Sequence, residues 1–270
     1  MDPFAALNPE QRDAVLHING PLLILAGAGS GKTRVIAQRI AYLIAEGHVR
    51  PDEILAVTFT NKAAEELRTR VETLLGTSMA GSWMSTFHSL CARLLRREAT
   101  AIGLPRDFVI YDSSDQLALV KQVFKDLQID DSVVPPRQAL SKISHAKNTM
   151  AGPEFFRSTG WSQRGEQMVK VYEKYIEGLK DNGALDFDDL LLKAVELLDT
   201  VARVRERYAD KFRFVMVDEY QDTNRPQYHL IQLLSQRHRN LCVVGDPDQS
   251  SYRWRGADLR NILDFEHDFP

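Results

Sequence analysis

Three glycines, a serine, a lysine and a threonine stand together in Gly27-Ala28-Gly29-Ser30-Gly31-Lys32-Thr33, directly after the apolar run Leu22-Leu23-Ile24-Leu25. Glycine lets the backbone turn sharply, so that successive N–H groups converge on one anion. Lys32 then supplies a point charge for the outer phosphates of a nucleotide, and Thr33 a hydroxyl for a magnesium ion. The strict phosphate-loop pattern G-x-x-x-x-G-K-[ST] asks for glycine at position 26, where this chain has Ala26. A helix cap or linker is the plainer reading of so many glycines. Gly-Lys-Thr straight after a strand favours the phosphate loop.

A second group is Asp218-Glu219, which ends the apolar run Phe214-Val215-Met216-Val217. Ligands of open α/β sheets sit at the carboxyl ends of the strands. An aspartate there can hold magnesium opposite Thr33, and a neighbouring glutamate can orient or deprotonate the water that attacks a γ-phosphate. The plain alternative is a solvated acidic loop. Gln249 follows another apolar run, Leu241-Cys242-Val243-Val244, and carries both a donor and an acceptor for a terminal phosphate. Tyr252-Arg253-Trp254-Arg255-Gly256 comes next. Interleaved rings and guanidinium groups suit single-stranded nucleic acid, where stacking on a ring such as Trp254 contributes ~1–3 kcal/mol per base. A packed tryptophan flanked by exposed arginines is the alternative.

The elements that position these groups follow from periodicity. Residues 22–25, 54–59, 82–87, 212–217 and 241–244 read as strands, and helices over 32–46, 62–75 and 225–236 alternate with them. Such alternation implies right-handed βαβ units and a parallel sheet. Asn8-Pro9-Glu10-Gln11 opens a helix, with Gln11 placed either to complete a capping box or to offer its amide to a nucleotide base. Between residues 89 and 211 the pattern is helical, over 89–101, 115–127 (capped by Ser113 or Ser114), 136–147, 163–179 and 187–198. The expected architecture is an α/β motor domain, residues 1–88 and 212–270, interrupted by an all-helical insertion.

Composition sets the outer limits. Lys plus Arg number 34 against 37 Asp plus Glu, a net charge of −3, which excludes a wholly basic nucleic-acid binder and confines any such site to a local patch. Two cysteines, Cys91 and Cys242, make no disulfide framework and suit a reducing compartment. No zinc-ligand spacing and no Ser-His-Asp arrangement is present, and no apolar run is long enough to span a bilayer. A cytoplasmic location is expected. Phe59 sits at the carboxyl end of a strand and His88 just after one; on pattern alone the first reads as core and the second as a capping or hydrogen-bonding residue.

In order, the stretches around Gln11, Ala26–Arg34, Thr58-Phe59-Thr60-Asn61-Lys62-Ala63-Ala64, Thr86-Phe87-His88-Ser89, Asp186-Phe187-Asp188-Asp189-Leu190, Val217-Asp218-Glu219-Tyr220-Gln221-Asp222-Thr223 and Val244-Gly245-Asp246 through Gln249 to Ala257 resemble the UvrD/PcrA/Rep group of superfamily 1 DNA helicases. Ala26 is ordinary in that group. The resemblance implies a RecA-like P-loop fold and an ATP and Mg2+ site. Gln11 would contact adenine there, the loop Gly27, Ala28, Gly29, Ser30, Gly31, Lys32, Thr33 and Arg34 the phosphates, and Asp218, Glu219 and Gln249 the reacting end. It implies that Phe59, Asn61, His88, Tyr252, Trp254 and Arg255 face single-stranded DNA, with junctions as further partners. It also implies a 3′-to-5′ translocating helicase of repair or replication, with a second motor domain beyond Pro270 that supplies arginines, so that the chain reads as a truncated piece with feeble turnover of its own. A single-strand-binding module switched by ATP, and the motor part of a helicase-nuclease, are the alternatives.

Overall fold

The structure is a computed structural model that describes residues 7–27, 29–130, 134–158, 162–246, 248 and 260–269. Among the described residues the strands are β1 (Leu22–Leu25), β2 (Ile54–Thr58), β3 (Trp83–Thr86), β4 (Val109–Ile110), β5 (Ala184–Leu185), β6 (Phe214–Val217) and β7 (Leu241–Gly245). The helices are α1 (Pro9–Leu16), α2 (Lys32–Ala45), α3 (Asn61–Leu75), α4 (Phe87–Glu98), α5 (Ser113–Asp126), α6 (Pro136–Asn148), α7 (Phe155–Ser158), α8 (Ser162–Asp181), α9 (Phe187–Thr200), α10 (Ala202–Lys211), α11 (Arg225–Ser235), α12 (Arg260–Leu263) and α13 (Phe265–Asp268).

They belong to two compact units. One takes the chain up to Leu90, Leu198–Thr223 and the residues from Gln227 onward; the other takes Cys91–Leu197 and Asn224–Pro226. The first unit holds a five-stranded sheet in the order β1-β7-β6-β2-β3, parallel throughout. Strands β2, β6 and β7 are buried along their whole length, which is why they read as unbroken apolar runs rather than alternating ones. The apolar faces of α2 and α3 close over them through Ile36, Ile40, Leu67 and Val71, against Ile54, Ala56, Met84, Met216 and Val244.

Register decides where the chemistry lies. Leu25 pairs with Gly245, Val217 with Val243 and with Val57, and Thr58 with Thr86. The ladder continues one residue beyond, with Ala26 N–H donating to Gly245 O at 3.0 Å and Asp218 N–H to Val57 O at 3.0 Å. All five strands therefore deliver the loops that follow them to one edge of the sheet.

The second unit packs α5, α6 and α8 around Val120, Phe124, Ile143, Tyr172 and Tyr175. It is not all-helical: β4 and β5 pair in parallel, Val109 with Ala184 and Ile110 with Leu185. Two-residue strands are too short to show a period of two, so the pattern passed unseen. The boundary also differs from the expected one. Helix α10 belongs to the first unit, where Trp83 meets Tyr208 and Phe212 edge-to-face at 6.0 and 5.2 Å. Asp112, rather than Ser113 or Ser114, caps α5, its carboxylate accepting from Ser114 and Asp115 N–H at 2.7 and 2.9 Å.

A polar cluster lies inside this unit. Lys147, 1% exposed, donates to Asp186 and Asp189 at 2.7 Å each, and Tyr175 donates to Asp186 at 2.9 Å. Burial pulls the Lys147 ammonium down, but Asp189 and Asp186 outweigh it and hold the group charged.

Candidate nucleotide site at the carboxyl edge of the sheet

The phosphate loop opens α2 through Gly31, whose φ of 86° lies in the left-handed region. A Cβ on Gly31 would also stand 3.1 Å from the Arg34 guanidinium, which would have to give way by a few tenths of an ångström. The loop points the positive end of α2 along the sheet edge. Lys32 Nζ donates to Ala26 O at 3.1 Å and to the Asp246 carboxylate at 3.3 Å. Thr33 Oγ1 donates to Asp218 Oδ2 at 3.2 Å. Ser30 Oγ is buried and has no hydrogen-bond partner among the described residues. Glycine backbone, a free hydroxyl and a lysine held by one carboxylate fit an incoming chain of phosphates.

The acidic pair follows β6, one strand away from β7 and two from β1. Burial first, and the Glu219 charge second, push the Asp218 carboxyl up to about 6, against the opposing Glu219 N–H, Thr33 hydroxyl and Lys32 charge. A buried carboxylate short of positive charge beside a hydroxyl is a donor set of hard oxygens, and it fits a magnesium ion. Glu219 itself has φ 52° and ψ 44°, an uncommon conformation for a residue with a side chain. Asp218 Oδ1 accepts its N–H at 3.0 Å, and Gln221 Nε2 donates to its carboxylate at 2.7 Å.

Gln221 and Asp246 were missed as site residues by sequence reasoning, although both fall inside stretches that carry the resemblance. Gln221 is 1% exposed and bridges two loops: its Nε2 holds Glu219, and its Oε1 accepts Asp246 N–H at 2.9 Å. The only signal was its place beside Asp218-Glu219. The bridge also explains Gly245, where a Cβ would stand 3.0 Å from Gln221 Oε1.

Gln11 does complete a capping box, accepting Asn8 N–H at 3.1 Å while Asn8 accepts Gln11 N–H at 2.8 Å. Its Nε2 also donates to Ser30 O at 2.8 Å, and Arg34 Nη2 reaches its Oε1 at 3.4 Å. The amide is thus at the phosphate loop as well as in the cap. Of the candidate DNA residues, half-buried Phe59 follows β2 and meets the Phe87 ring edge-to-face at 5.7 Å. Exposed Asn61 opens α3, and half-buried His88 lies in the first turn of α4. These three follow the neighbouring strands β2 and β3, the half of the edge away from the phosphate loop. Ala28, Gln249, Tyr252, Trp254 and Arg255 lie outside the described residues.

Residues 7–270 match the UvrD/REP helicase N-terminal domain. The chain belongs to this family. It is 52% identical over 267 residues to the ATP-dependent DNA helicase PcrA of Bacillus subtilis, covering 99% of this chain and 36% of that protein. It is 50% and 49% identical over 264 residues to the PcrA proteins of Staphylococcus epidermidis and Staphylococcus aureus, in each case 98% of this chain and 36% of the relative. The chain therefore spans about a third of the length of the relatives it matches. In this UvrD/REP domain no helix among the described residues is long and apolar enough to cross a membrane.

Proposed function

We propose that the chain forms one half of the ATPase site of a DNA helicase, a motor that moves 3′-to-5′ on single-stranded DNA in repair or replication. The observation that carries this reading is the convergence of Lys32, Thr33, Asp218, Glu219 and Asp246 at one sheet edge. The helicase names of the PcrA relatives support it.

In this reading the N–H groups of residues 27–33 and the Ser30 hydroxyl receive the phosphates, and Lys32 exchanges Asp246 for the outer phosphate. Thr33 and Asp218 hold the magnesium ion, which neutralises phosphate charge when bound. Glu219 accepts the proton of the water that attacks the γ-phosphorus, as the bond to the β–γ bridging oxygen breaks and ADP departs. Gln249 senses the terminal phosphate and Gln11 reads the base. Phe59, Asn61, His88, Tyr252, Trp254 and Arg255 grip the single strand near junctions, with stacking on rings worth ~1–3 kcal/mol per base. A second motor domain supplies the arginine that completes the site; such a group accounts for ~10³–10⁵ of the rate in phosphoryl transfer.

Glu219→Gln tests the assignment in the chain joined to a second motor domain. Nucleotide affinity is expected to stay near wild type while hydrolysis disappears. Hydrolysis equal to wild type overturns the role given to Glu219.

A further inference from the structure

Helix α1, which carries Gln11, is poorly equipped to hold itself in place. It has eight residues and buries only Val15. Helices this short are marginal in water even with good helix formers. Its carboxyl end has no left-handed glycine: the cap is His17 in an extended conformation, whose N–H serves Asp13 O. The other carbonyls of the last turn need partners from elsewhere.

Arg39 provides partners for two of them, Ala14 O and Val15 O. It is 1% exposed, seven residues into the helix that opens at Lys32, and so about two turns from the phosphate loop. Its Nη1 donates to Ala14 O at 2.8 Å, to Val15 O at 3.4 Å and to His17 O, and its Nη2 to Ile18 O at 3.5 Å. No carboxylate lies within ion-pair distance of it among the described residues. Burial pulls the guanidinium pKa down, with Cys242 opposing it, and the hydrogen-bond partners of the buried guanidinium are carbonyls at the negative end of α1. At the other end of α1, Gln11 Nε2 rests on Ser30 O. These contacts at the two ends of α1 run to the continuous segment made of the phosphate loop and α2.

We propose that Arg39 is a positioning residue for nucleotide-base selection: by gathering the carboxyl-terminal carbonyls of α1 it holds the Gln11 amide where it can discriminate adenine from guanine. The proposal rests on the reading of Gln11 as the base contact. A carboxamide pairs with adenine by accepting from N6 and donating to N7, whereas guanine offers two acceptors on the same edge. That discrimination survives only if the amide cannot turn or drift.

The test compares binding of fluorescent ATP and GTP analogues, with magnesium, to the 270-residue chain and its Gln11→Ala, Arg39→Lys, Arg39→Met and Gln11→Ala/Arg39→Met variants. Wild type is expected to prefer ATP by about 5- to 150-fold, the range of a good two-bond base contact. Gln11→Ala and Arg39→Met should each bring the ratio toward one, and the double variant should go no lower than Gln11→Ala. Arg39→Lys keeps a buried charge without the fork and should fall between. Hydrogen exchange over residues 9–17 should speed up in the Arg39 variants while the sheet stays protected. That separates release of α1 from general unfolding. A protected sheet with the full ATP preference in Arg39→Met, while Gln11→Ala loses it, overturns the proposal, as does unchanged exchange in α1. Should Gln11→Ala keep the ATP preference, the base-contact reading of Gln11 fails first, and the specificity role of Arg39 with it.

Discussion

Replacing Gln221 by alanine removes an amide that serves both the acidic pair and the loop after β7. Its bond to the Glu219 carboxylate, 2.7 Å long, is charge-assisted and worth ~1.5–3 kcal/mol. The buried Asp246 N–H that it accepts at 2.9 Å is left without a partner, at a cost of ~1–3 kcal/mol. Against this, Glu219 is free to leave its left-handed conformation, which returns ~1–2 kcal/mol. The net loss is about 3 kcal/mol, which for a chain of this size lowers the melting temperature by roughly 6–12 °C. Thermal unfolding followed by circular dichroism measures it. Gln221→Glu keeps an acceptor for Asp246 N–H but loses the donor to Glu219 and sets a second, buried carboxylate against it, and should cost at least as much stability at neutral pH. With a second motor domain present, Gln221→Ala should also slow hydrolysis, because the Glu219 carboxylate loses the amide that holds it. A melting temperature within about 1 °C of wild type would refute the bridging role assigned to Gln221.

Two further expectations concern ionisation. Because the fold raises the Asp218 carboxyl to about 6 from 3.8, the folded chain binds the proton that the unfolded chain has released, so this group makes stability fall as pH rises from about 4 to about 6. The full change is about 3 kcal/mol and is absent in Asp218→Asn; urea unfolding across that window checks it, and parallel curves for the two proteins contradict it. Lys147→Met leaves Asp186 and Asp189 buried without their cation and should cost ~3–5 kcal/mol at neutral pH, less in acid where the carboxyls protonate. An unchanged urea midpoint would show that the cluster holds the second unit less tightly than its geometry says.

Much of the fold is legible in the sequence because the central strands are buried on both faces and so appear as plain apolar runs. Helix α10 is not, since only Val204, Tyr208 and Ala209 of its ten residues are buried and the rest read as solvent. At the site, residue types and spacing suffice to nominate Lys32, Thr33, Asp218 and Glu219, each at the end of a strand or the start of a helix. They say nothing of which side chains bridge the loops. The bond from Asp246 to Gln221 spans 25 residues, and that from Lys32 to Asp246 spans 214. Such pairings depend on the strand order β1-β7-β6, which is a property of the assembled sheet. The two roles weighed for Gln11 had a similar origin. A capping box is visible in four residues, whereas the bond to Ser30 requires α1 to be fixed at both ends.

The central claim is that residues 27–33 with Asp218 and Glu219 form half of a DNA-coupled ATPase site. It is tested most directly by steady-state ATP hydrolysis with and without a single-stranded oligonucleotide, by the 270-residue chain and by the same chain joined to a second motor domain. The account predicts magnesium-dependent nucleotide binding with slow, DNA-insensitive hydrolysis by the chain alone. The joined form should show DNA-stimulated hydrolysis faster by ~10³–10⁵. Brisk DNA-stimulated hydrolysis by the 270-residue chain alone would contradict it.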